Sequence, residues 1–74
     1  MGTLAVLDRS GDTKTLWNPD NQAEVDAAKA TFTSLRAKGY LAYRVIGDGA
    51  KGEQIQAFDP RAGSIILTPP LVGG

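Results

Sequence analysis

The apolar residues change their spacing along the chain, from a period of two near its start to a period between three and four in its middle. Within residues 3–8, Leu4 and Val6 share one face, which predicts a strand with one side suited to a core. A second strand is predicted over residues 13–18. Gly11, in the polar segment between the two strands, indicates a hairpin turn.

The middle of the chain predicts one amphipathic helix. Its apolar stripe consists of residues spaced three, four and three apart, which are Val25, Ala28, Phe32 and Leu35. The helix can begin with Asn18 as its cap and Pro19 in its first turn. It can also begin with Asn21 as its cap and Glu24 completing a capping box. Gly39 supplies the left-handed residue that ends it.

Three strand segments are predicted after the helix. Residues 40–46 are aromatic and β-branched, and residues 54–58 form a weaker, polar alternation that suits an edge strand. A turn over residues 59–63 follows, with Gly63 where a positive φ is expected. Residues 64–68 form the most continuously apolar of the predicted strands, which predicts a central strand buried on both faces. The order ββαβββ indicates an α+β fold with one helix lying on a sheet.

The chain ends in a tail with unusual backbone properties. Pro70 fixes its own φ and pushes Pro69 toward extended geometry, so the tail leaves the last strand in a straight line. Gly73 and Gly74 have no Cβ, so nothing beside the terminal carboxylate obstructs an enclosing partner. The same residues also suit a frayed end, because a dipeptide is a weak motif by itself.

The composition narrows the classes of function. At 74 residues the chain is one small domain, predicted over residues 1–68, with the tail over residues 69–74. It contains no Cys and no His, so disulfides and thiolate metal sites are excluded and the commonest general base is missing. We therefore expect no catalytic residue, no metal site and no enzymatic activity of its own.

The charges are balanced, with eight acidic and eight basic residues that form no block of one sign. Nucleic acids and anionic membranes require a concentrated positive field, so neither is expected as a partner. The start of the chain has no basic stretch followed by a long apolar run, and no segment is long and apolar enough for a membrane span. We expect a cytoplasmic protein.

Two polar regions could suggest ligand sites. The loop over residues 47–52 has the order Gly-x-Gly-x-x-Gly, but it lies between two predicted strands where a dinucleotide site needs a strand followed by a helix. It is interpreted as a hairpin loop. Asp8 with Asp12, and Asp48 with Glu53, flank turns without a third ligand at calcium-loop spacing, which favours solvated turns.

The order of elements, with an apolar last strand that runs into Pro-Pro-Leu-Val-Gly-Gly, resembles that of the ubiquitin-like β-grasp proteins. The ending is most similar to the sulfur-carrier branch, the small subunit of molybdopterin synthase and the thiamine-pathway sulfur carrier. There the last strand finishes in a phrase like Pro-Pro-x-x-Gly-Gly. The likeness in residues covers about the last fifteen positions, and the rest is a matching order of elements. The resemblance implies a ubiquitin-like β-grasp fold with one helix packed on a mixed sheet.

The resemblance also implies a function for the diglycine. An E1-like adenylating enzyme would use ATP to activate the carboxylate of Gly74, with Gly73 beside it, for sulfur transfer or for conjugation to an amine. ATP would be used by this partner, and no cofactor would be bound by the chain itself. Further partners implied are a synthase large subunit, a conjugation target or a deconjugating protease. The tail residues implied in docking are Pro69, Pro70, Leu71 and Val72.

In this family the docking surface is an apolar patch on the sheet near the tail. The candidates here are Leu7, Tyr43 and Ile66, which could instead fill the core, because strand parity alone does not say which face is exposed. An alternative function follows from the same patch: a non-catalytic β-grasp binding or assembly subunit that acts through its sheet face while the tail is idle.

Overall fold

The computed structural model describes residues 1–8, 11–45 and 52–70. In these ranges the chain forms the predicted order of two strands, one helix and three strands. The elements are β1 (Gly2–Asp8), β2 (Gly11–Trp17), α1 (Gln22–Ala37), β3 (Leu41–Val45), β4 (Gly52–Ile55) and β5 (Ser64–Thr68). The fold is therefore α+β, with one helix packed on a mixed five-stranded sheet.

The sheet has the strand order β2-β1-β5-β3-β4. β1 pairs antiparallel with β2 and parallel with β5, and β3 pairs antiparallel with both β5 and β4. The last described strand, β5, thus occupies the centre of the sheet, as predicted. The predicted edge position of the fourth strand is also confirmed. Because the tail follows β5 directly, it leaves from the middle of the sheet.

The core lies between α1 and one face of the sheet. The predicted helix stripe is confirmed, since Val25, Ala28 and Phe32 are buried and Leu35 packs against them. Residues of the same parity on each strand meet this stripe and are buried: Leu4, Val6, Trp17, Ala42, Ile65 and Leu67. This burial of apolar area is the main source of stability for a chain without cysteine.

The helix begins at the second of the two predicted starts. The Asn21 side chain accepts hydrogen bonds from the backbone N–H groups of Ala23 (3.1 Å) and Glu24 (3.3 Å). The Glu24 carboxylate reaches back past the cap and accepts from the backbone N–H of Asn18 at 2.8 Å. Asn18 therefore belongs to the turn before the helix, and Asn21 is the cap.

The helix ends at the glycine that was predicted to end it. Gly39 has a φ of 96°, and its N–H donates to the carbonyl of Arg36 at 3.0 Å. The N–H of Tyr40 donates to the carbonyl of Leu35, also at 3.0 Å. These two bonds form a Schellman motif, which satisfies carbonyls that the helix leaves unpaired.

The predicted burial of the fifth strand on both faces is wrong. Ile65 and Leu67 are fully buried under α1, but Ile66 between them is only half-buried on the opposite face. The continuous apolar run suggested a helix layer on each side of the sheet, whereas α1 is the single helix of the described chain and it covers one side. An apolar run therefore marks a central strand here without marking a two-sided core.

The strand predicted over residues 54–58 has the wrong bounds. β4 ends at Ile55, and Phe58 leaves the sheet to pack against Trp17 and Phe32, with ring centroids 5.0 Å and 5.8 Å apart. An edge strand is held by one neighbour only, so a large aromatic side chain gains more by filling the space beside Trp17 than by extending the strand.

The turn over residues 59–63 is confirmed, but the positive φ expected at Gly63 is wrong. The N–H of Ala62 donates to the carbonyl of Asp59 at 3.1 Å, which closes the turn before Gly63 is reached. The Gly63 carbonyl instead accepts from the N–H of Thr3 at 3.2 Å and begins the alignment of β5 with β1.

The glycine-rich loop predicted over residues 47–52 lies outside the described residues, except that Gly52 is the first residue of β4. The strands on its two sides, β3 and β4, pair antiparallel, so it joins the arms of a hairpin as predicted. In the described chain, the one helix is too short and too polar to traverse a lipid bilayer.

Candidate functional site

The face of the sheet turned away from α1 is made of the side chains that alternate with the core residues. Because residues paired across neighbouring strands share a face, the registers identify its members. We call this surface the open face, and its residues are Thr3, Ala5, Leu7, Asp12, Lys14, Leu16, Leu41, Tyr43, Val45, Gln54, Ser64, Ile66 and Thr68. Each of them is half-buried or exposed.

The centre of the open face is a row of directly paired residues from three strands. Ile66 of β5 lies between Ala5 of β1 and Tyr43 of β3. Leu7 stands on the same face of β1 and is 38% exposed. The structure therefore brings the three predicted patch residues, Leu7, Tyr43 and Ile66, onto one surface and places none of them under α1; their role in docking stays a prediction.

Polar and charged residues border this apolar centre. Asp12 and Lys14 lie along β2 on one side, and Gln54 lies on β4 on the other. Leu16, which the sequence reasoning did not select, is 59% exposed at the β2 edge. An apolar surface with a polar rim is typical of a protein-binding site.

The tail begins against the end of the helix. Pro69 and Pro70 follow Thr68, the last residue of β5, and Pro70 is exposed. A Cβ built on Gly39 would lie 3.5 Å from the Cβ of Pro70, so the proline ring rests on the glycine that ends α1. The remaining predicted tail residues lie outside the described residues: Leu71, Val72, Gly73 and Gly74.

A cluster of charges that the sequence reasoning missed joins β3, β4 and the turn before β5. The Arg44 guanidinium donates to Asp59 at 2.7 Å and also to Glu53. The hydrogen bond from Arg44, with a second from the backbone N–H of Arg61, lowers the pKa of the Asp59 carboxyl. The hydrogen bonds to Glu53 and Asp59 raise the pKa of Arg44. The Arg44 guanidinium and the Asp59 carboxylate thus hold each other charged, which suits a structural ion pair and not proton transfer.

The signal for this cluster was present in the sequence but incomplete. Arg44 has the parity of a core position, next to Ala42 on the same face of β3, and such an arginine needs an anionic partner. The cross-strand pairing with Glu53 depends on the β3–β4 register, and the contact with Asp59 depends on the turn. Neither contact could be predicted from the spacing of these residues along the sequence.

A shallow cleft of about 290 Å³ lies between the first half of α1 and the segment that follows β4. Gln22, Asp26 and Lys29 line its helix side, and Phe58 and Pro60 line the other. The Gln22 amide donates to the Asp26 carboxylate at 2.8 Å, so the two polar groups on this wall already satisfy each other.

The residues that the structure describes therefore provide two candidate functional features: the open face of the sheet, and Pro69 and Pro70 at the start of the tail. Within residues 1–8, 11–45 and 52–70, no three acidic side chains come together as a metal ion requires. No protein-family model matches the chain, and its comparison with curated proteins and with solved structures finds no match.

Proposed function

We propose that the chain is a ubiquitin-like β-grasp carrier or modifier, and that an E1-like enzyme adenylates its Gly74 carboxylate for sulfur transfer or conjugation. The observation that carries the proposal is the course of β5. This central strand, parallel to β1, passes beneath the helix and continues without interruption into Pro69 and Pro70. The strand order with one helix on one face is consistent with a β-grasp fold.

The proposed adenylation and transfer steps require no catalytic side chain from the chain itself. The Gly74 carboxylate attacks the α-phosphorus of ATP and pyrophosphate leaves, which gives an acyl adenylate. A sulfide nucleophile then displaces AMP and leaves a thiocarboxylate, or an amine displaces AMP and leaves an amide. The partner enzyme supplies the catalytic groups, and the carrier supplies a narrow tail with glycines that let an enclosing site approach the carbonyl.

The open face is the surface that would dock on the activating enzyme. Ile66 belongs to the strand that leads into the tail, and Tyr43 is its cross-strand partner, so a partner seated on them reaches the tail root. The Pro70 ring against Gly39 holds that root beside the helix end, which limits the directions in which the tail can leave. Limiting these directions lowers the entropy lost when the tail enters an active site.

The activation test uses the full chain with an E1-like enzyme of the same organism, ATP and sulfide. We expect ATP–pyrophosphate exchange that depends on the chain, and an intact mass showing one oxygen replaced by sulfur. Deletion of Gly74 should abolish both signals. The matched control, Thr33→Ala on the exposed side of α1, should leave both unchanged. Absence of exchange with the cognate enzyme would refute the proposal.

The proposal also requires Gly74 to carry the carboxyl terminus of the mature protein. The intact mass of the protein isolated from its own cells tests this requirement before any enzymology. A mature form that continues past Gly74 in every preparation would exclude activation at this residue.

The docking role of the open face is tested separately. Leu7→Ser removes a side chain that is 38% exposed, so the fold should be retained. Because the Leu7 side chain takes no part in the reaction at the carboxylate, we expect KM for the carrier to rise about tenfold with kcat nearly unchanged. An unchanged KM for Leu7→Ser would exclude this part of the surface from docking.

A second candidate function rests on the open face alone: a non-catalytic binding or assembly subunit whose tail is idle. It is favoured by the exposure of Leu16 and Leu7, since this apolar surface exists whatever becomes of the tail. Removal of Gly73 and Gly74 separates the two functions. A chain without these two glycines should still complement loss of the natural protein in cells if it is an assembly subunit, and should fail to do so if it is a carrier.

A further inference from the structure

One edge of the sheet is long, accessible and unpaired in the described part of the chain. β2 (Gly11–Trp17) pairs with β1 on one side only, and Asp12, Thr13 and Lys14 are all exposed. The other edge strand, β4, has only four residues. A seven-residue edge without proline is a template for another strand, which soluble proteins usually shorten or cover.

The direction of the backbone groups in β1 can be deduced from one hydrogen bond. The N–H of Thr3 donates to Gly63, which leads into β5, so Thr3 directs its backbone groups toward β5. Backbone groups alternate in direction along a strand. Leu4 and Val6 therefore direct theirs toward β2.

The register carries this alternation across to β2. Leu4 is paired with Thr15 and Val6 with Thr13, so these two threonines form the hydrogen-bonded pairs with β1. The residues between and beyond them direct their N–H and C=O groups toward the free edge, and these are Asp12, Lys14 and Leu16. Any strand that joins this edge must pair with these three residues.

A second copy of the chain can pair with this edge in an antiparallel direction in three registers that pair at least two of the three outward residues. With the two-fold axis at Lys14, the two lysines oppose each other. With the axis at Thr15, Lys14 opposes Leu16 of the second copy. With the axis at Thr13, Asp12 opposes Lys14 of the second copy, and the same pair recurs by symmetry.

The register centred on Thr13 is the one that pairs opposite charges. Both charged pairs fall at hydrogen-bonded positions, so each combines two backbone hydrogen bonds with an ion pair on the open face. At the axis, Thr13 meets Thr13 of the second copy at a non-hydrogen-bonded position, where cross-strand threonine pairs are favourable. Opposite charges in contact favour this register, and like charges disfavour the one centred on Lys14.

We infer that this protein self-associates by antiparallel pairing of β2 with β2 of a second copy, about a two-fold axis at Thr13. The two sheets then continue into each other, with both open faces on one side and both helices on the other. The association is weak and salt-sensitive, since the interface is small and its charges are exposed. It uses no residue of the tail and is independent of the proposed activation of Gly74.

Cysteine cross-linking tests the register, and the chain has no cysteine of its own to complicate it. Opposed residues at a non-hydrogen-bonded position have Cα atoms about 4.5 Å apart, within disulfide range. We expect Thr13→Cys to form a disulfide-linked dimer under mild oxidation. The matched variants Asp12→Cys and Lys14→Cys should not, because each opposes the other residue. A dimer that forms most readily through Lys14→Cys would overturn the register.

Charge reversal tests the pairing by sedimentation at protein concentrations up to about 1 mM. Asp12→Lys and Lys14→Asp should each weaken self-association about tenfold, because two symmetric ion pairs become repulsive. An equimolar mixture of the two variants should form a heterodimer, in which every opposed pair is again opposite in charge. Gln54→Lys on the other edge is the control and should associate like the natural chain. A natural chain that stays monomeric throughout, with no Thr13→Cys cross-link, would refute the inference.

Discussion

Both faces of the sheet carry large apolar side chains at their centre, yet only one of them is a core. On the helix side Ile65, Leu67 and Leu4 are fully buried. On the open face Ile66 is only half-buried and Leu16 is 59% exposed. Since the side chains are similar in kind, the difference is made by α1, which covers one face and leaves the other.

This contrast shows what apolar character in a strand can mean. On the helix side it drives folding, because area is removed from water within the chain itself. On the open face apolar side chains add little to folding, because they are removed from water only when another molecule binds there. Matched substitutions on the two faces test this distinction.

The largest difference is expected between two adjacent isoleucines of β5. Ile65→Ala should lower the free energy of unfolding by about 3 kcal/mol, because it leaves a cavity beneath α1. Ile66→Ala should lower it by about 1 kcal/mol, because its side chain is half-buried and solvent can fill the space. Urea unfolding followed by the fluorescence of Trp17, the single and fully buried tryptophan, measures both. Equal losses would mean that the open face is covered as well as the helix side.

A smaller effect is expected from adding one methyl group to the helix side. A Cβ on Gly2 would lie 2.1 Å from Cζ2 of Trp17, so Gly2→Ala must displace a ring whose Nε1–H donates to the Pro60 carbonyl at 3.0 Å. We expect a loss of about 2 kcal/mol. Gly63→Ala, whose Cβ would meet nothing within 4 Å and whose φ is not positive, should change stability by no more than about 0.5 kcal/mol. A Gly2→Ala variant that is as stable as the natural chain would show that Trp17 is loosely packed.

The smallest effect concerns the charged border of the helix side, where Arg44 occupies a strand position on the same face as the core residue Ala42. The pKa of Asp59 is lowered from its usual 3.8, chiefly by the hydrogen bond from Arg44. A lowered carboxyl pKa in the folded state contributes stability that is present above the unfolded pKa and is lost as pH falls through the folded one. Asp59→Asn should therefore be less stable than the natural chain at neutral pH, and the difference should shrink below about pH 3.8. A difference that is constant with pH would exclude the ion pair as its cause.

Much of the helix side could be predicted from the sequence because its signals are local. The stripe of Val25, Ala28 and Phe32, the capping pair of Asn21 with Glu24, and Gly39 each depend on residues within a few positions of one another. Strand parity likewise separated Leu4 and Val6 from their neighbours. These contacts require no knowledge of the tertiary arrangement.

The rest depended on which elements meet in space. The sequence around Phe58 favours a strand, and only the position of Trp17 shows that Phe58 packs on its ring instead. The close approach of Gly2 to the same ring also appears only in the tertiary structure. Ile66 could not be assigned a side, because an apolar run has the same appearance under one helix layer or two. The open face was therefore predictable as a set of candidates and not as a surface.

The parallel pairing of β1 with β5 also governs when the molecule can fold during its synthesis. β1 leaves the ribosome well before its central partner β5, which spans Ser64–Thr68. Until then Leu4 and Val6 have no β5 beside them, and the nascent chain holds at most a β1–β2 hairpin and an uncovered helix. Folding is thus delayed until the strand that leads into the tail has been made, so a chain truncated before that strand cannot present a tail on a folded body.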